Sequence, residues 1–290
     1  MTYSELYRSI TAEFEVAGCE SAGFDASCLF ERFAGIPRGR LALKGEDTVP
    51  TKMIKTIEKA AEWRANGYPL QYILGEWDFL SLTLYVGEGV LIPRSDTELL
   101  CEVAAERLKG IINPQVLDLC AGSGCVGLGI ADLCKGTEVT AVELSERALG
   151  YLKRNCAKYP ELNVTPVKAD VLKDSALFKE GYDAILANPP YIPTDKLDHL
   201  MREVKHEPKM ALDGGDGLVF YRAIARDWLP LLKKGGICAV EVGIGQSQTV
   251  AELFKSAGLT DIKIFKDMGN IERVVMGNNK YNAYLILNPF

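Results

Sequence analysis

The sequence predicts an α/β protein in which helices cover both faces of a mostly parallel β-sheet. Beyond residue 114, short apolar segments rich in β-branched residues alternate with segments of helical periodicity. Most of the intervening segments are long enough to return the chain across a sheet, which is the pattern of parallel strands. The composition, with 48% hydrophobic and 25% charged residues, is that of a globular domain with a sizeable core.

Residues 1–72 are predicted to form a small helical domain. Tyr3, Leu6, Ile10 and Phe14 recur at intervals of three and four, which places them on one face of a helix. Glycines divide the rest of this region into several short helices. No motif here carries chemistry, so the expected role is recognition of a protein substrate.

A β-hairpin over residues 73–93 is predicted to link this domain to a second one, residues 94–290. Residues 77–86 alternate between apolar and polar types and contain several aromatic side chains. The segment Gly87-Glu88-Gly89 is expected to form the turn before a second strand at 90–92. Ser95 and Glu98 then fit a capping box at the start of the next helix.

The second domain is predicted to contain seven strands. They lie at residues 116–119, 138–142, 163–167, 182–187, 236–242, 261–265 and 272–276, with helices at 126–134, 145–158, 217–232 and 246–257. The last two strands leave no room for a crossover helix, so they should pair antiparallel. The segment 281–287 is also strand-like, without an assigned place in the sheet.

Composition argues against several classes of protein. The net charge is −6 and there is no lysine or arginine block, which disfavours a nucleic-acid substrate. No run approaches the about 18 apolar residues of a membrane span, and the first residues do not resemble a signal peptide, so a cytoplasmic protein is expected. The eight cysteines include no C-x-x-C pair. They are interpreted as small buried side chains rather than metal ligands or disulfides.

The most unusual local pattern is Asn188-Pro189-Pro190-Tyr191, which follows the predicted strand 182–187. The two prolines lack backbone donors and disfavour helix in the residues before them. Asn188 and Pro189 are therefore expected to be extended, with free carbonyl oxygens and an outward-facing amide. Such acceptors suit a planar group that carries an NH2. Two alternatives remain, because Asn188 could close an Asx turn and Tyr191 could pack in the core.

The predicted strand 116–119 leads into a loop, Cys120–Cys125, and then a helix. Gly122 and Gly124 allow a tight turn and a close approach of the backbone to a ligand. The spacing is neither the dinucleotide fingerprint nor a P-loop. Asp118 would repel a phosphate and attract an ammonium group.

Two further acidic residues follow the next strands. Glu143 lies about 20 residues after the glycines, the spacing at which a carboxylate accepts from ribose hydroxyls. Asp170 could accept a hydrogen bond from an adenine amine. Each alone is more often an ordinary loop residue. Together with Asp118 they predict a nucleoside that carries an amino acid, namely S-adenosylmethionine.

Several stretches of the chain match one family. They are Pro69–Gly75, Leu91–Arg94, Leu117–Cys125, Asn188–Pro193, Glu207-Pro208, Ala211–Gly215 and Asp216–Leu218. The chain resembles class I S-adenosylmethionine-dependent methyltransferases. Over residues 1–277 it is similar to the family that methylates the glutamine of the Gly-Gly-Gln loop in peptide-chain release factors. Asn-Pro-Pro-Tyr is also found in adenine-N6 and some guanine-N2 methyltransferases, so the conjunction with the first two stretches carries the specificity.

The resemblance implies a Rossmann-like seven-stranded methyltransferase sheet with a helical N-terminal domain joined by a β-hairpin. It also implies S-adenosylmethionine as methyl donor, S-adenosylhomocysteine as product, release factors as partners and a monomer. The catalytic residues would be Asn188, Pro189, Pro190 and Tyr191, and these four with Arg94 would bind the substrate. The cofactor would contact Asp118, Cys120, Ala121, Gly122, Ser123, Gly124, Cys125, Glu143, Leu144, Asp170, Val171 and Asn188. No metal ligand is expected.

Three positions depart from the family pattern. Glu143 stands where aspartate is common, and Ala121 where threonine or glycine is common. The segment Gly269–Val275 replaces a more basic pattern. Two other functions stay open: a nucleic-acid base methyltransferase that grips an exocyclic amine, and a module that binds the cofactor without catalysis. Arg94 could also be part of a surface ion pair.

Overall fold

The structure, a computed structural model, describes residues 1–280 and contains two compact units. One unit comprises Met1–Glu76 with Met201–His206, and the other comprises Trp77–Leu200 with the chain from Glu207 onward. The strand-like segment 281–287 lies outside the described residues. Within the described part of the chain, no helix is both long and apolar enough to cross a membrane.

The first unit is helical, as predicted. Its helices are α1 (Tyr3–Val16), α2 (Ala22–Ala34), α3 (Leu41–Lys44), α4 (Thr51–Ala65) and α5 (Leu70–Leu74). The apolar repeat of α1 forms part of its core, where Leu6 and Phe14 are fully buried. Arg64 is also buried, and it forms ion pairs of 2.6 Å with Asp25 and with Glu203. The sequence pattern gave no sign of this charged cluster.

The predicted hairpin exists, but its predicted turn at Gly87–Gly89 is wrong. The strands are β1 (Glu76–Phe79) and β2 (Leu82–Tyr85), and the turn lies at Leu80-Ser81. Leu80 has a φ of 52°, an uncommon conformation for a residue with a side chain. Its N–H donates to the Glu98 carboxylate at 2.8 Å, which stabilises the turn. The predicted capping box is wrong for the same reason, since Glu98 bonds Leu80 and no side chain caps the helix that begins at Ser95.

All seven predicted strands of the large sheet are present. They are β3 (Gln115–Leu119), β4 (Glu138–Glu143), β5 (Asn163–Lys168), β6 (Tyr182–Ala187), β7 (Leu232–Glu241), β8 (Leu259–Lys266) and β9 (Glu272–Asn279). Their order is β5-β4-β3-β6-β7-β9-β8. β9 runs antiparallel to both β7 and β8, which confirms the prediction for the closing pair, and the other pairs are parallel.

Helices cover both faces of the sheet. One face carries α6 (Ser95–Leu108), α7 (Cys125–Leu133) and α8 (Glu146–Lys158). The other carries α9 (Val219–Ala223), which continues as π and 3-10 turns to Leu231, and α10 (Ser247–Ser256). Successive residues of β3 alternate between the two cores, with Val116 on the α7 face and Leu117 on the α9 face.

The strand order reverses beside β3. From β3 the chain continues outward through β4 and β5, and it then returns to β6 on the other side. The connections that leave the carboxyl ends of β3 and β6 therefore separate and open a crevice there. Ligands of open α/β sheets bind at this position.

Candidate active site

A cavity of about 520 Å³ opens at the carboxyl ends of β3, β4 and β6. Its size is that of a small-molecule site. Twelve predicted site residues line it: Arg94, Cys120, Ala121, Gly122, Ser123, Cys125, Glu143, Leu144, Asp170, Val171, Asn188 and Pro190. Asp118, Gly124, Pro189 and Tyr191 are not among the lining residues. The structure thus brings together residues from five separate segments of the sequence.

The glycine loop is tied to the end of β4. Ala121 N–H donates to the Val142 carbonyl at 2.9 Å, and Gly122 N–H donates to the Glu143 carboxylate at 2.8 Å. Gly122 has a φ of 57°, which favours glycine, and no atom lies within 4 Å of the position a Cβ would take. This glycine is therefore required by backbone conformation, and its open side faces the cavity that it lines.

Glu143 is mostly buried, and both of its carboxylate oxygens accept hydrogen bonds from backbone N–H groups. Besides Gly122 N–H, the N–H of Ser145 donates to its second oxygen at 2.7 Å. Burial raises the pKa of Glu143, and these N–H bonds oppose that rise. Each carboxylate oxygen keeps a further acceptor position, which suits two neighbouring hydroxyl groups.

Asp170 follows β5 and closes a local turn. Its Oδ1 accepts from Leu172 N–H at 2.9 Å and its Oδ2 pairs with Lys173 Nζ at 2.9 Å. Burial alone would raise the pKa of Asp170, but the Lys173 pair and the Leu172 N–H lower it. The group is thus an ionised acceptor at the cavity wall.

Asp118 lies beneath α7 rather than on the cavity wall. Strand alternation directs it to the same face as Val116, and its Oδ2 accepts from Gly127 N–H at 2.9 Å. Among the described residues, its Oδ1 has no hydrogen-bond partner although it is buried. Burial raises the pKa of Asp118 to about 8. Its expected contact with an ammonium group stays a prediction.

The raised pKa of Asp118 predicts a specific pH dependence of stability. Because the folded pKa lies above the unfolded value of 3.8, the contribution of this group is complete below about pH 4 and is lost as the pH rises to about 8. Urea unfolding between these limits should show the stability of the wild type falling relative to Asp118→Asn, which does not titrate. Parallel pH curves for the two proteins would contradict this expectation.

Asn188 presents one free acceptor at the cavity. Its Nδ2 donates to Thr97 Oγ1 at 3.0 Å, a residue 91 positions away in the sequence. The Asx-turn alternative is wrong, because such a turn needs the backbone N–H two residues on to donate to Oδ1, and Pro190 has no N–H. Within residues 1–280, no group donates to Asn188 Oδ1 or to the Pro189 carbonyl. The Asn188 Oδ1 is thus left without a protein donor at the cavity. Pro189 is buried and does not line the cavity, so acceptance of a substrate proton by its carbonyl stays a prediction.

Tyr191 points away from the cavity. Its ring packs against the core on the α9 face, and its hydroxyl donates to Glu241 Oε1 at 3.2 Å. Burial, and next the nearby Glu241, raises the pKa of the Tyr191 hydroxyl above its ordinary value. The observed contacts favour the core-packing alternative for the ring.

Arg94 lies at the cavity wall and also forms an ion pair, so both contacts considered for it in the sequence are present. It lines the cavity, and its guanidinium also donates to the Glu207 carboxylate. The other oxygen of Glu207 accepts from Ile92 N–H at 2.9 Å, so this buried carboxylate fixes residues 92–94. The ion-pair alternative for Arg94 is thus present alongside its place at the cavity.

Residues 207–215, termed the roof segment, pack on the Asn-Pro-Pro-Tyr backbone. Ile192 N–H donates to the Leu212 carbonyl at 3.0 Å, and Gly214 N–H donates to the Ile192 carbonyl at 2.8 Å. A Cβ on Gly214 would lie 2.6 Å from the Pro190 carbonyl oxygen. The close approach of these two backbones therefore requires glycine at this position.

Comparison with known proteins identifies the family. The descriptions "PrmC N-terminal domain" and "Methyltransferase small domain" match residues 5–75 and 95–221. The release factor glutamine methyltransferase of Caulobacter vibrioides is 34% identical over 263 residues, covering 90% of this chain and 91% of that protein. The chain belongs to the release factor glutamine methyltransferase family. The protein of that name from Geobacter sulfurreducens is 36% identical over 262 residues and covers 90% of both chains.

Membership of the release factor glutamine methyltransferase family confirms the resemblance found in the sequence. A solved structure with the same fold is the T. thermophilus 16S rRNA methyltransferase RsmC in complex with AdoMet and guanosine. The two structures superimpose with a TM-score of 0.50 and a sequence identity of 21%. The alignment covers 70% of this chain and 49% of that one. At this identity the match shows the fold alone. The chain is an enzyme of the S-adenosylmethionine-dependent methyltransferase class.

The thiols of this family member form no disulfide. Cys28, Cys101 and Cys238 are buried, and the other five are partly buried. Across residues 1–280, no group of His, Cys, Asp and Glu side chains has the arrangement of a metal site.

Sequence reasoning missed three residues that support the methyltransferase site. Thr97 and Glu241 contact the Asn-Pro-Pro-Tyr motif. Asn155 of α8 accepts from Tyr85 N–H at 2.7 Å and donates to the Ser123 carbonyl at 2.9 Å. Only Glu241 carried a usable signal, because it ends a strand as Glu143 does. The other two lie in helices whose sequences give no sign of these distant partners.

Replacing Asn155 with alanine should weaken cofactor binding. The change removes the link between β2 and the glycine loop and leaves the Ser123 carbonyl without this donor. Loss of such buried bonds costs about 1–3 kcal/mol, so we expect the Kd for S-adenosylmethionine to rise by roughly tenfold. Isothermal titration calorimetry would measure this Kd. At saturating cofactor, we expect the turnover of the variant to be close to that of the wild type. An unchanged Kd would exclude this role for Asn155.

Proposed function

We propose that this chain transfers the methyl group of S-adenosylmethionine to the side-chain amide nitrogen (N5) of the glutamine in the Gly-Gly-Gln motif of peptide-chain release factors. The observation that carries the proposal is the orientation of Asn188, whose NH2 is bonded to Thr97 so that its Oδ1 is free at the cavity. Membership of the family supports the release factor as substrate. The reaction would support translation termination in the cytoplasm.

The cavity fits the proposed cofactor. Glu143 would accept from the ribose hydroxyls and Asp170 from the adenine amine, while the Gly122 backbone allows a close approach. Asp118 lies beneath α7 and does not line the cavity, so its contact with the amino group of the cofactor remains the least supported of these assignments. When bound, the cofactor supplies an electrophilic methyl group on a sulfonium.

The residues of the motif would act by alignment and by charge. A carboxamide nitrogen is a poor nucleophile because its lone pair is delocalised into the carbonyl. Asn188 Oδ1 and the Pro189 carbonyl would accept the two amide protons, which holds the nitrogen in line with the methyl group. Such positioning can contribute as much as about 7–11 kcal/mol. The same oxygens would stabilise the positive charge that develops on nitrogen as the new C–N bond forms.

No general base is needed in this scheme. The N-methylated amide cation is a strong acid and releases its proton to water. Of the charged residues that line the cavity in the described part of the chain, Arg94 is basic and Glu143, Asp170 and Asp213 are acidic. This balance suits a cationic transition state and disfavours a polyanionic substrate. The release-factor substrate is therefore preferred over a nucleic-acid base.

We also propose that the two units have different roles, one in catalysis and the other in recognition of the substrate protein. Every residue that lines the cavity belongs to the second unit, so the helical residues 1–72 would recognise the substrate protein. One chain supplies the whole cavity, and we propose that the enzyme acts as a monomer.

Incubation with release factor and S-adenosylmethionine tests the proposal. Mass spectrometry of the tryptic Gly-Gly-Gln peptide should show the gain of one methyl group on the glutamine. A release factor with alanine at that glutamine is the matched negative control, and total RNA and DNA are incubated in parallel. Methylation of nucleic acid without methylation of the glutamine peptide would overturn the proposed substrate.

A further inference from the structure

Two buried residues connect to the Asn-Pro-Pro-Tyr motif through a chain of hydrogen bonds. Asn188 Nδ2 donates to Thr97 Oγ1 at 3.0 Å, and Thr97 Oγ1 donates to Glu241 Oε2 at 2.6 Å. Thr97 is 1% exposed and Glu241 2% exposed. The Glu241 Oε1 accepts from the Tyr191 hydroxyl at 3.2 Å. One carboxylate at the end of β7 is thus linked to both ends of the motif, to Tyr191 directly and to Asn188 through Thr97.

The direction of each hydrogen bond follows from the number of protons available. A carboxylate can only accept, and a threonine hydroxyl has one proton to give. Thr97 gives its proton to Glu241 in a short, charge-assisted bond. The hydroxyl oxygen can then only accept from Asn188, which must present its NH2. Because an amide has its oxygen opposite its NH2 group, the Asn188 Oδ1 is left as the free atom.

The two orientations of an asparagine amide have nearly the same shape, so packing hardly distinguishes between them. They differ completely toward a substrate amide. In the observed orientation an oxygen is available to accept a proton from the substrate NH2. In the flipped orientation, two NH2 groups would face each other and neither could accept.

We propose that Thr97 and Glu241 are positioning residues that hold the Asn188 amide in its accepting orientation during methyl transfer. This inference rests on the proposed function. It assigns to two residues outside the motif the task of selecting one of two amide orientations. Tyr191 enters the same network as the second donor to Glu241, which explains why its hydroxyl points away from the cavity.

Fold stability alone does not account for a carboxylate at this place. Burying a charge is costly unless it is paired, and the hydrogen bonds to the Glu241 side chain come from two hydroxyls. The nearby Arg273 forms its ion pairs with Asp96 and Asp267. An acceptor-only group is needed to set the direction of the Thr97 proton, and a neutral side chain of the same size would not set it.

Thr97→Val and Thr97→Ser form the decisive pair of variants. Valine keeps the shape and removes the hydroxyl, whereas serine keeps the hydroxyl. We expect Thr97→Val to lower kcat for release-factor methylation by roughly 10²-fold, as the loss of one catalytic hydrogen-bonding group does. Thr97→Ser should stay within about threefold of the wild type, and the calorimetric Kd for S-adenosylmethionine should stay within about twofold in both, since the change leaves the binding loop intact.

A control and a double variant separate positioning from general structural damage. Thr137 is also buried, with its hydroxyl bonded to the Cys134 carbonyl at 2.7 Å, away from the cavity. Thr137→Val should therefore lower the unfolding temperature and leave kcat near that of the wild type. If Thr97 acts only through Asn188, adding Thr97→Val to Asn188→Ala should not lower kcat further in an assay with a radiolabelled methyl group.

Each outcome decides between the two proposals. A wild-type enzyme that leaves release factor unmethylated overturns the proposed function. An active wild type with a Thr97→Val variant of equal kcat overturns the positioning role, and so does a further loss of kcat in the double variant. If Thr97→Val fails to fold, Glu241→Gln is measured instead, because its amide can no longer fix the direction of the Thr97 proton. A Glu241→Gln enzyme with unchanged kcat would then overturn the role.

Discussion

Asn188→Ala is expected to abolish methylation of release factor while leaving cofactor binding nearly intact. The change removes the acceptor oxygen at the cavity, and with it both alignment of the substrate amide and stabilisation of the charge on its nitrogen. We expect kcat to fall by roughly 10³-fold or more. The hydrogen bonds that hold the glycine loop, such as that from Gly122 to Glu143, do not involve Asn188, so affinity for S-adenosylmethionine should change by no more than a few fold.

Glu143→Ala is the matched comparison for this result. The substitution removes the acceptor of the Gly122 and Ser145 N–H groups, so it should raise the Kd for S-adenosylmethionine. It should leave the hydrogen bond from Asn188 to Thr97 in place. Quenched time courses with saturating cofactor, together with calorimetry, separate the two effects. Substantial turnover by Asn188→Ala would show that catalysis does not depend on the acceptance of a substrate amide proton by Asn188 Oδ1.

Gly214→Ala should also lower kcat strongly. The substitution would displace the Asn-Pro-Pro-Tyr motif and leave all of its side chains present. The added Cβ would lie 2.6 Å from the Pro190 carbonyl oxygen and 2.8 Å from the Tyr191 Cα. Both are backbone atoms, so the motif or the roof segment must shift. A displacement of this kind can cost about 10²-fold in rate even when every catalytic group is retained. The overpacking should also lower the free energy of unfolding by about 1–3 kcal/mol.

Gly150 provides the control for this substitution. It lies in α8 of the same unit, and nothing is within 4 Å of the position its Cβ would take. Gly150→Ala should therefore keep full kcat and slightly raise the unfolding temperature, because alanine favours helix. Steady-state kinetics and thermal unfolding of both variants make the comparison. Equal kcat for the two would show that the roof segment does not set the position of the motif.

The strands and their ends could be predicted from the sequence because the signals are local. A run such as residues 182–187 is apolar and is stopped by two prolines, so both the strand and its end are encoded within ten residues. The glycine loop after β3 is encoded in the same way. The hairpin turn could not be predicted, because Leu80 adopts its conformation with support from Glu98, a residue in a later helix.

The direction of individual side chains was harder to predict than their place in the chain. Asp118 was expected at the cavity because it is near a strand end, yet alternation along β3 directs it beneath α7. Tyr191 is predicted to bind the substrate with the rest of its motif, and its hydroxyl instead bonds Glu241. A shift of one residue along an extended chain reverses the face, and local sequence patterns do not fix that register.

The sequence by itself determined the order of helices and strands, the acceptors at the strand ends and the family, since each depends on residues close together in the chain. Tertiary structure alone decided which way the Asn188 amide points. That choice depends on Thr97 and Glu241, which lie 144 positions apart and meet only when α6 packs beside the carboxyl end of β7. A hydrogen bond needs atoms within about 3 Å, and no local pattern records which distant residues folding will bring to that distance.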